Sequence, residues 1–162
     1  MVFLKKSVGV VVYRIVHDSI EVLLCHPGGP YWKNTDSHAW SFSKGERNFD
    51  ERVVDTLKRE FFEETNLTIY TDLHFLASRK VSQNKLVVMF YTCCDYDLSR
   101  CKSNTFELEF PKGSGNIQTF PEIDQYAWFD LQLAREKIFL NQIYFLDKLE
   151  EKICLKGDEL DD

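Results

Sequence analysis

Three glutamates, Glu60, Glu63 and Glu64, are spaced so that an α-helix would carry all three on one face. Like charges at this spacing destabilise a helix by about 0.2–0.5 kcal/mol per pair. One interpretation is an acidic patch facing solvent. The other is a site for a hard divalent cation such as Mg²⁺, which prefers oxygen ligands and leaves positions for substrate phosphates.

The helix that would position these acids has its own sequence pattern. Asp50 is the expected N-cap, because its carboxylate can accept hydrogen bonds from the first turn. Val54, Leu57 and Phe61 recur at helical spacing, which predicts an apolar stripe facing the core. We therefore expect the acidic face to point outward, away from that stripe.

The acids belong to a longer pattern, in which five residues separate Gly45 from Glu51 and seven separate Glu51 from Arg59. Its members are Gly45, Glu51, Arg59, Glu60, Phe61, Glu63, Glu64 and Leu67. This pattern resembles the signature of the Nudix hydrolases, which cleave nucleoside diphosphates linked to another group. The resemblance implies an α/β/α sandwich built on a mixed β-sheet, with the acidic helix on one side and the C-terminal helices on the other.

The resemblance also implies roles for single residues. Glu60, Glu63 and Glu64 would hold Mg²⁺ or Mn²⁺, with the main-chain carbonyl of Lys44 assisting. Arg59 would brace the acids by pairing with Glu51, and the alternative is a pair with Asp55 or Glu63 one helical turn away. Catalytic candidates are therefore Glu60, Glu63 and Arg59, together with Glu122.

Glu122 is the candidate from outside the signature. It lies six residues before Trp128, in a segment similar to the late Nudix segment that carries a further carboxylate. Either Glu63 or Glu122 would position or deprotonate the attacking water. Glu107 and Glu109 are alternatives to Glu122.

One position departs from the family pattern, since Asn66 stands where glycine is usual. The physical requirement is a residue that can adopt positive φ and end the helix, and asparagine is the usual second choice. The change leaves the metal-binding acids intact.

The rest of the chain predicts alternating strands and helices. Strands are expected at residues 7–16, 20–25, 39–44, 68–77, 79–83, 85–94, 103–110 and 127–129, with a turn at Gln83 and Asn84. Asp130 would begin a helix ending near Ile138, and a second helix would span residues 141–154.

Substrate contacts are expected from loops and from basic residues. Tyr31 and Trp32 lie in a loop that contains two prolines and two glycines, where they could stack a nucleobase or fold back onto the core. His26 is a candidate phosphate contact. The ammonium of Lys44 and the guanidinium of Arg79 are candidates for the same role, with a solvated strand edge as the alternative for Arg79.

Length and charge limit the remaining possibilities. The 162 residues suit one domain, assigned to residues 1–156, with an acidic disordered tail at 157–162. The net charge of −6 makes nucleic acid an unlikely partner and leaves a small nucleotide as the expected substrate. Five cysteines without a signal peptide or a membrane segment indicate a cytoplasmic protein. The sequence does not determine the oligomeric state.

These observations predict a metal-dependent hydrolase that cleaves a phosphoanhydride bond, with a nucleoside triphosphate or dinucleoside polyphosphate as the favoured substrate. One alternative is a Nudix-fold module that binds a nucleotide without cleaving it. The other is an unrelated interaction domain whose acidic helix matches by coincidence.

Overall fold

The valine-rich segment near the start of the chain forms the central strand of a mixed sheet in the computed structural model, which describes residues 4–160 and their side chains as far as residue 154. Its β-branched side chains favour extended backbone. In spatial order the sheet contains β4 (His74–Ser82), β5 (Lys85–Cys93), β1 (Lys5–Val16), β2 (Ser19–Pro27) and β8 (Ile123–Asp130), and β3 (Ser43–Glu46) pairs with the first half of β1. The β1–β5 pair is parallel and the other pairs are antiparallel.

Alternate residues of β1 enter two different cores, because side chains point to opposite faces of a strand. Val8, Val10 and Val12 pack toward α1 (Val53–Thr65), whereas Val11 and Tyr13 pack toward α2 (Leu131–Lys137) and α3 (Ile143–Leu160). The predicted α/β/α sandwich with a mixed sheet is therefore confirmed.

The start of α1 differs from the prediction. Arg52, not Asp50, is the N-cap, and its side chain makes no capping bond. Val54 is 37% exposed, and Val53 packs against the core in its place, beside the buried Leu57. The exit is as expected, since Asn66 adopts φ 63° and its amide donates to the Phe62 carbonyl.

The segments after α1 correct the strand predictions. Residues 68–73 are not a strand, and β4 continues without interruption through the predicted break at Ser78. The turn at Gln83 and Asn84 connects β4 to β5 as predicted. The expected strand at residues 103–110 is β6 (Thr105–Glu109), which pairs in a separate two-stranded sheet with β7 (Ile117–Pro121), a strand that was not predicted.

The C-terminal part follows the prediction closely. The Asp130 carboxylate caps α2 by accepting from the Leu133 amide, and a short 3₁₀ helix (Leu140–Gln142) leads into α3. Helix α3 extends to Leu160, and residues 161–162 lie outside the described part of the chain. The single domain at residues 1–156 and the disordered tail at 157–162 remain predictions.

Candidate active site

Strand β3 presents alternate residues to the two faces of the sheet, and this decides which of them meet the acids. Phe42 belongs to the core beneath α2 and α3, so Lys44 shares that face. Ser43 and Gly45 face α1 instead. A Cβ added to Gly45 would lie 1.9 Å from Cδ of Glu60, so only glycine lets this carboxylate lie directly against the strand.

The acidic face of α1 does not point outward, contrary to the prediction. The Glu60 side chain is only 17% exposed, because it lies against β3. Glu64 is partly buried on the same face, and desolvation raises the pKa of its carboxyl to about 8. The neighbouring Ser43 hydroxyl lowers the pKa of Glu64. This hydroxyl is buried and makes no hydrogen bond to any described residue.

Arg59 braces the acids through Glu51, as the family resemblance implied. Nε and Nη2 of Arg59 lie 2.8 and 2.9 Å from the two carboxylate oxygens of Glu51, a two-pronged hydrogen-bonded pair. These hydrogen bonds lower the pKa of Glu51 to about 2. Asp55, one of the alternative partners, pairs with Arg52 instead.

The same guanidinium reaches the acidic face. Nη1 of Arg59 lies 2.9 Å from Oε1 of Glu60 and 3.3 Å from Oε2 of Glu63. Arg59 thus carries one positive charge to three carboxylates, which reduces their mutual repulsion without neutralising it. Burial and the charge of Glu63 still raise the pKa of Glu60.

Glu122 is brought to this cluster by a backbone bridge. The Asn104 amide donates to the Glu63 carbonyl over 2.8 Å, and the Asn104 carbonyl accepts from the Glu122 amide over 2.9 Å. Burial and then the charge of Glu63 raise the pKa of Glu122. The charge of Glu122 in turn raises the pKa values of Glu60 and Glu64.

The two alternatives to Glu122 are placed differently. The Glu109 carboxylate accepts a hydrogen bond from the Gly113 amide within the turn that follows β6, and Glu107 is exposed. The bridging role of Asn104 was not predicted. No local signal identifies it, because it joins segments 41 and 18 residues away along the chain.

Two basic candidates lie away from the acidic face. Lys44 lines a separate cavity of about 550 Å³ with Gln142 and Phe139 on the opposite side of the sheet, and burial lowers the pKa of its ammonium. The Arg79 guanidinium lies 4.9 Å from the centre of the Tyr144 ring of α3, on that same side. Neither position supports phosphate binding by these side chains beside the acids.

The carbonyl of Lys44, by contrast, is available. Arg47 donates to the Lys6 carbonyl, so the alternation of an antiparallel ladder makes Lys44 and Gly9 a non-hydrogen-bonded pair. The Lys44 carbonyl therefore faces away from β1. Its proposed assistance to a metal ion is compatible with this backbone.

The two aromatic residues of the loop after β2 contact different parts of the protein. Tyr31 meets Phe110 edge to face at 5.9 Å and remains 63% exposed, whereas Trp32 meets Phe139 at 5.5 Å. His26 is buried, and both of its ring nitrogens have protein partners, Asp124 and the Thr35 carbonyl. The structure therefore gives His26 a structural position and leaves Tyr31 at the protein surface.

The donors on this face suit a hard divalent cation. They are all oxygens, the partly buried Glu64 carboxyl has a raised pKa, and the Ser43 hydroxyl beside it lacks a partner within the described residues. Within the described residues, no three His, Cys, Asp or Glu side chains already form a metal-ligand group. Arg59 instead contacts Glu60 and Glu63, so a metal would require these two carboxylates to reorient.

The sequence profile of the NUDIX domain matches residues 4–149, nearly the whole chain. The chain belongs to the NUDIX domain family. This match confirms the predicted family and supports the prediction of a Nudix phosphohydrolase. No curated protein matches this chain.

Solved structures share the fold of this NUDIX protein at low sequence identity. The NUDIX domain of Shewanella oneidensis NrtR, crystallised with ADP ribose, has a TM-score of 0.65 at 14% identity, covering 94% of this chain and 90% of that one. A Caenorhabditis elegans Ap4A hydrolase in a binary complex has a TM-score of 0.63 at 20% identity, with coverages of 93% and 98%. A MutT protein from Methanosarcina mazei has a TM-score of 0.60 at 17% identity, with coverages of 93% and 95%.

Two further expectations concern the surroundings of the protein. All five cysteines are free, and among the described helices none has the length and apolar character needed to cross a membrane. The cytoplasmic location remains a prediction.

Proposed function

We propose that this NUDIX protein hydrolyses a phosphoanhydride bond of a nucleoside diphosphate linked to another group, with Mg²⁺ or Mn²⁺ as its cofactor. The observation that carries the proposal is the gathering of Glu60, Glu63, Glu64 and Glu122 at one place, although they come from two distant segments. Three of them, Glu60, Glu64 and Glu122, have raised pKa values, and such shifts are typical of functional sites.

Each acid has a proposed role. Glu60, Glu63 and Glu64 hold the cation together with the Lys44 carbonyl, and Arg59 keeps Glu51 and the acids aligned. When bound, the cation neutralises phosphate oxygens and lowers the pKa of a coordinated water. Glu122 or Glu63 orients the attacking water and accepts its proton.

The substrate class follows from the relatives and from charge. One structural relative was crystallised with ADP ribose and another is named an Ap4A hydrolase, and both names denote nucleotides linked through phosphoanhydrides. The net charge of −6 disfavours a long nucleic acid. A nucleoside triphosphate or a dinucleoside polyphosphate is therefore the substrate we propose, with Tyr31 as the better placed of the two loop aromatics to contact it.

The metal site is tested with Glu60→Gln and Glu64→Gln, with Glu136→Gln on the exposed face of α2 as the matched control. Mg²⁺ should raise the melting temperature of the parent and the control, because a ligand of the native state stabilises it, and both glutamine variants should lose this increase. Chromatography of a nucleotide panel should show Mg²⁺-dependent products for the parent and the control alone. An unchanged rate in both variants would remove α1 from the mechanism.

The base is tested by comparing Glu122→Gln with Glu63→Gln. Loss of the general base should lower kcat by about 10²–10⁴-fold and abolish the acidic limb of the pH–rate profile. If Glu122→Gln retains both the rate and that limb, Glu63 is the base. Mg²⁺-dependent nucleotide binding without any product would instead identify a binding module.

A further inference from the structure

A second feature of the same side of the protein is a cleft of about 520 Å³ between the β6–β7 hairpin and the loop after β2. Its size is within the range of small-molecule sites. Two aromatic rings and three polar side chains border it, in addition to backbone of the loop. These side chains are Phe110, Phe120, Lys33, Gln118 and Asp124.

The cleft is next to Glu122 along the chain. Pro121 lines the cleft and is followed by Glu122, whose carbonyl accepts from the Gly28 amide over 2.8 Å. A Cβ added to Gly28 would lie 2.0 Å from the Pro121 carbonyl oxygen, so the two segments touch directly. A group bound in the cleft would therefore contact the segment that carries Glu122.

The aromatic wall is held in place by contacts from both sides. Gly29, at φ +97°, faces the tip of the Phe106 ring, where an added Cβ would be 3.0 Å from Cζ. The Phe106 and Phe120 rings meet at 5.9 Å across the hairpin, and Tyr31 covers the edge of Phe110. The cleft is thus a preformed aromatic surface.

The polar side of the cleft is fixed by a buried histidine. His26 Nδ1 lies 2.7 Å from Oδ1 of Asp124, and Nε2 lies 2.6 Å from the Thr35 carbonyl oxygen. A carbonyl can only accept, so Nε2 carries a proton. The second oxygen of Asp124 makes no hydrogen bond to any described residue and remains available as an acceptor beside the cleft.

We propose that this cleft binds the nucleobase of the substrate, with Phe110 and Phe120 contacting its ring and Asp124 accepting a hydrogen bond from an amino group on the base. Aromatic faces stack bases of any type, whereas the free carboxylate oxygen favours adenine, guanine or cytosine over bases without an amino group. The proposal rests on the proposed function for the position of the phosphates beside Glu122.

Binding of non-hydrolysable probes tests the cleft independently of catalysis. The probes are an ATP analogue in which methylene groups replace both oxygens that bridge its phosphorus atoms, the corresponding inosine analogue, and methylenediphosphonate, which has no base. The variant is Phe120→Ala, and the matched control is Phe75→Ala, a 56% exposed phenylalanine on β4. Thermal melting confirms that each variant is folded, and Phe110→Ala replaces Phe120→Ala if the latter does not fold.

Phe120→Ala should weaken the ATP analogue by about 5- to 100-fold, the range expected for one base–aromatic contact, and leave methylenediphosphonate unchanged. Asp124→Asn should reduce the preference for the ATP analogue over the inosine analogue. Equal binding by Phe120→Ala and Phe75→Ala, or equal affinity of the parent for all three probes, would overturn the proposal. Binding as expected without turnover of any nucleotide would refute the proposed hydrolase and leave the base site standing.

Discussion

Replacing Gly45 with alanine tests whether the close approach of β3 and α1 builds the site. The backbone of Gly45 is not in the left-handed region, so alanine can adopt it without strain. Its Cβ would lie 1.9 Å from Cδ and 2.2 Å from Oε2 of Glu60. An ordinary contact begins near 3.4 Å, so the carboxylate must move by about 1.5 Å.

Because the atoms that clash belong to the end of a flexible side chain, the fold should tolerate the change. Catalysis should not, since a misplacement of about 1 Å typically lowers a rate by roughly 10²-fold. We expect Gly45→Ala to lower kcat/KM by about 10²-fold, which corresponds to about 2.7 kcal/mol of transition-state free energy. The melting temperature should fall by no more than a few degrees.

The assay compares Mg²⁺-dependent nucleotide turnover and thermal melting for Gly45→Ala and for Lys58→Ala, a control on the exposed face of α1. In a Glu60→Gln background, Gly45→Ala should cause little further loss, because both changes act through one carboxylate. The reasoning is refuted if Gly45→Ala retains full activity, or if its effect adds fully to that of Glu60→Gln.

Three further predictions follow from single contacts. Glu51→Gln should make the stability of the fold less sensitive to acid. The Glu51 pKa of about 2 lies below its ordinary value of 4.5, so the contribution of Glu51 to the stability of the folded state is complete above pH 4.5 and is lost as the pH falls toward 2. Urea unfolding between pH 7 and 3 measures this contribution. Asn66→Ala should destabilise the protein by about 1 kcal/mol because φ is 63°, whereas Asn66→Gly should not, and calorimetry distinguishes them. Arg79→Ala should leave KM for nucleotides unchanged, because the guanidinium of Arg79 packs on Tyr144. A large rise in KM would indicate that Arg79 contacts the substrate.

Local sequence patterns were sufficient wherever the determining interactions are local. The burial of β1 on both faces, the helix exit at Asn66 and the cap at Asp130 were predictable, because each depends on neighbouring residues or on strand periodicity. The start of α1 was predicted wrongly. Asp50 has the chemistry of an N-cap, but Arg52 occupies that position, and the preceding residue, Glu51, is hydrogen-bonded to Arg59.

Only part of the candidate site could be predicted from local sequence patterns. The spacing of Glu60, Glu63 and Glu64 on one helix follows from 3.6 residues per turn, so the sequence alone indicates that they lie together. It does not indicate that they lie against β3, because that requires knowledge of which face of the strand Gly45 occupies.

The sequence by itself determined the family, the acidic helix and the oxygen donors suited to a divalent cation, since these depend on residue type and short-range spacing. Only the tertiary structure decided that Glu122 joins the acids through Asn104, that the side chains of Lys44 and Arg79 lie on the other side of the sheet, and that an aromatic cleft includes Pro121, the residue before Glu122. The physical reason is that these arrangements depend on contacts between segments distant along the chain, which the packing of the sheet brings together.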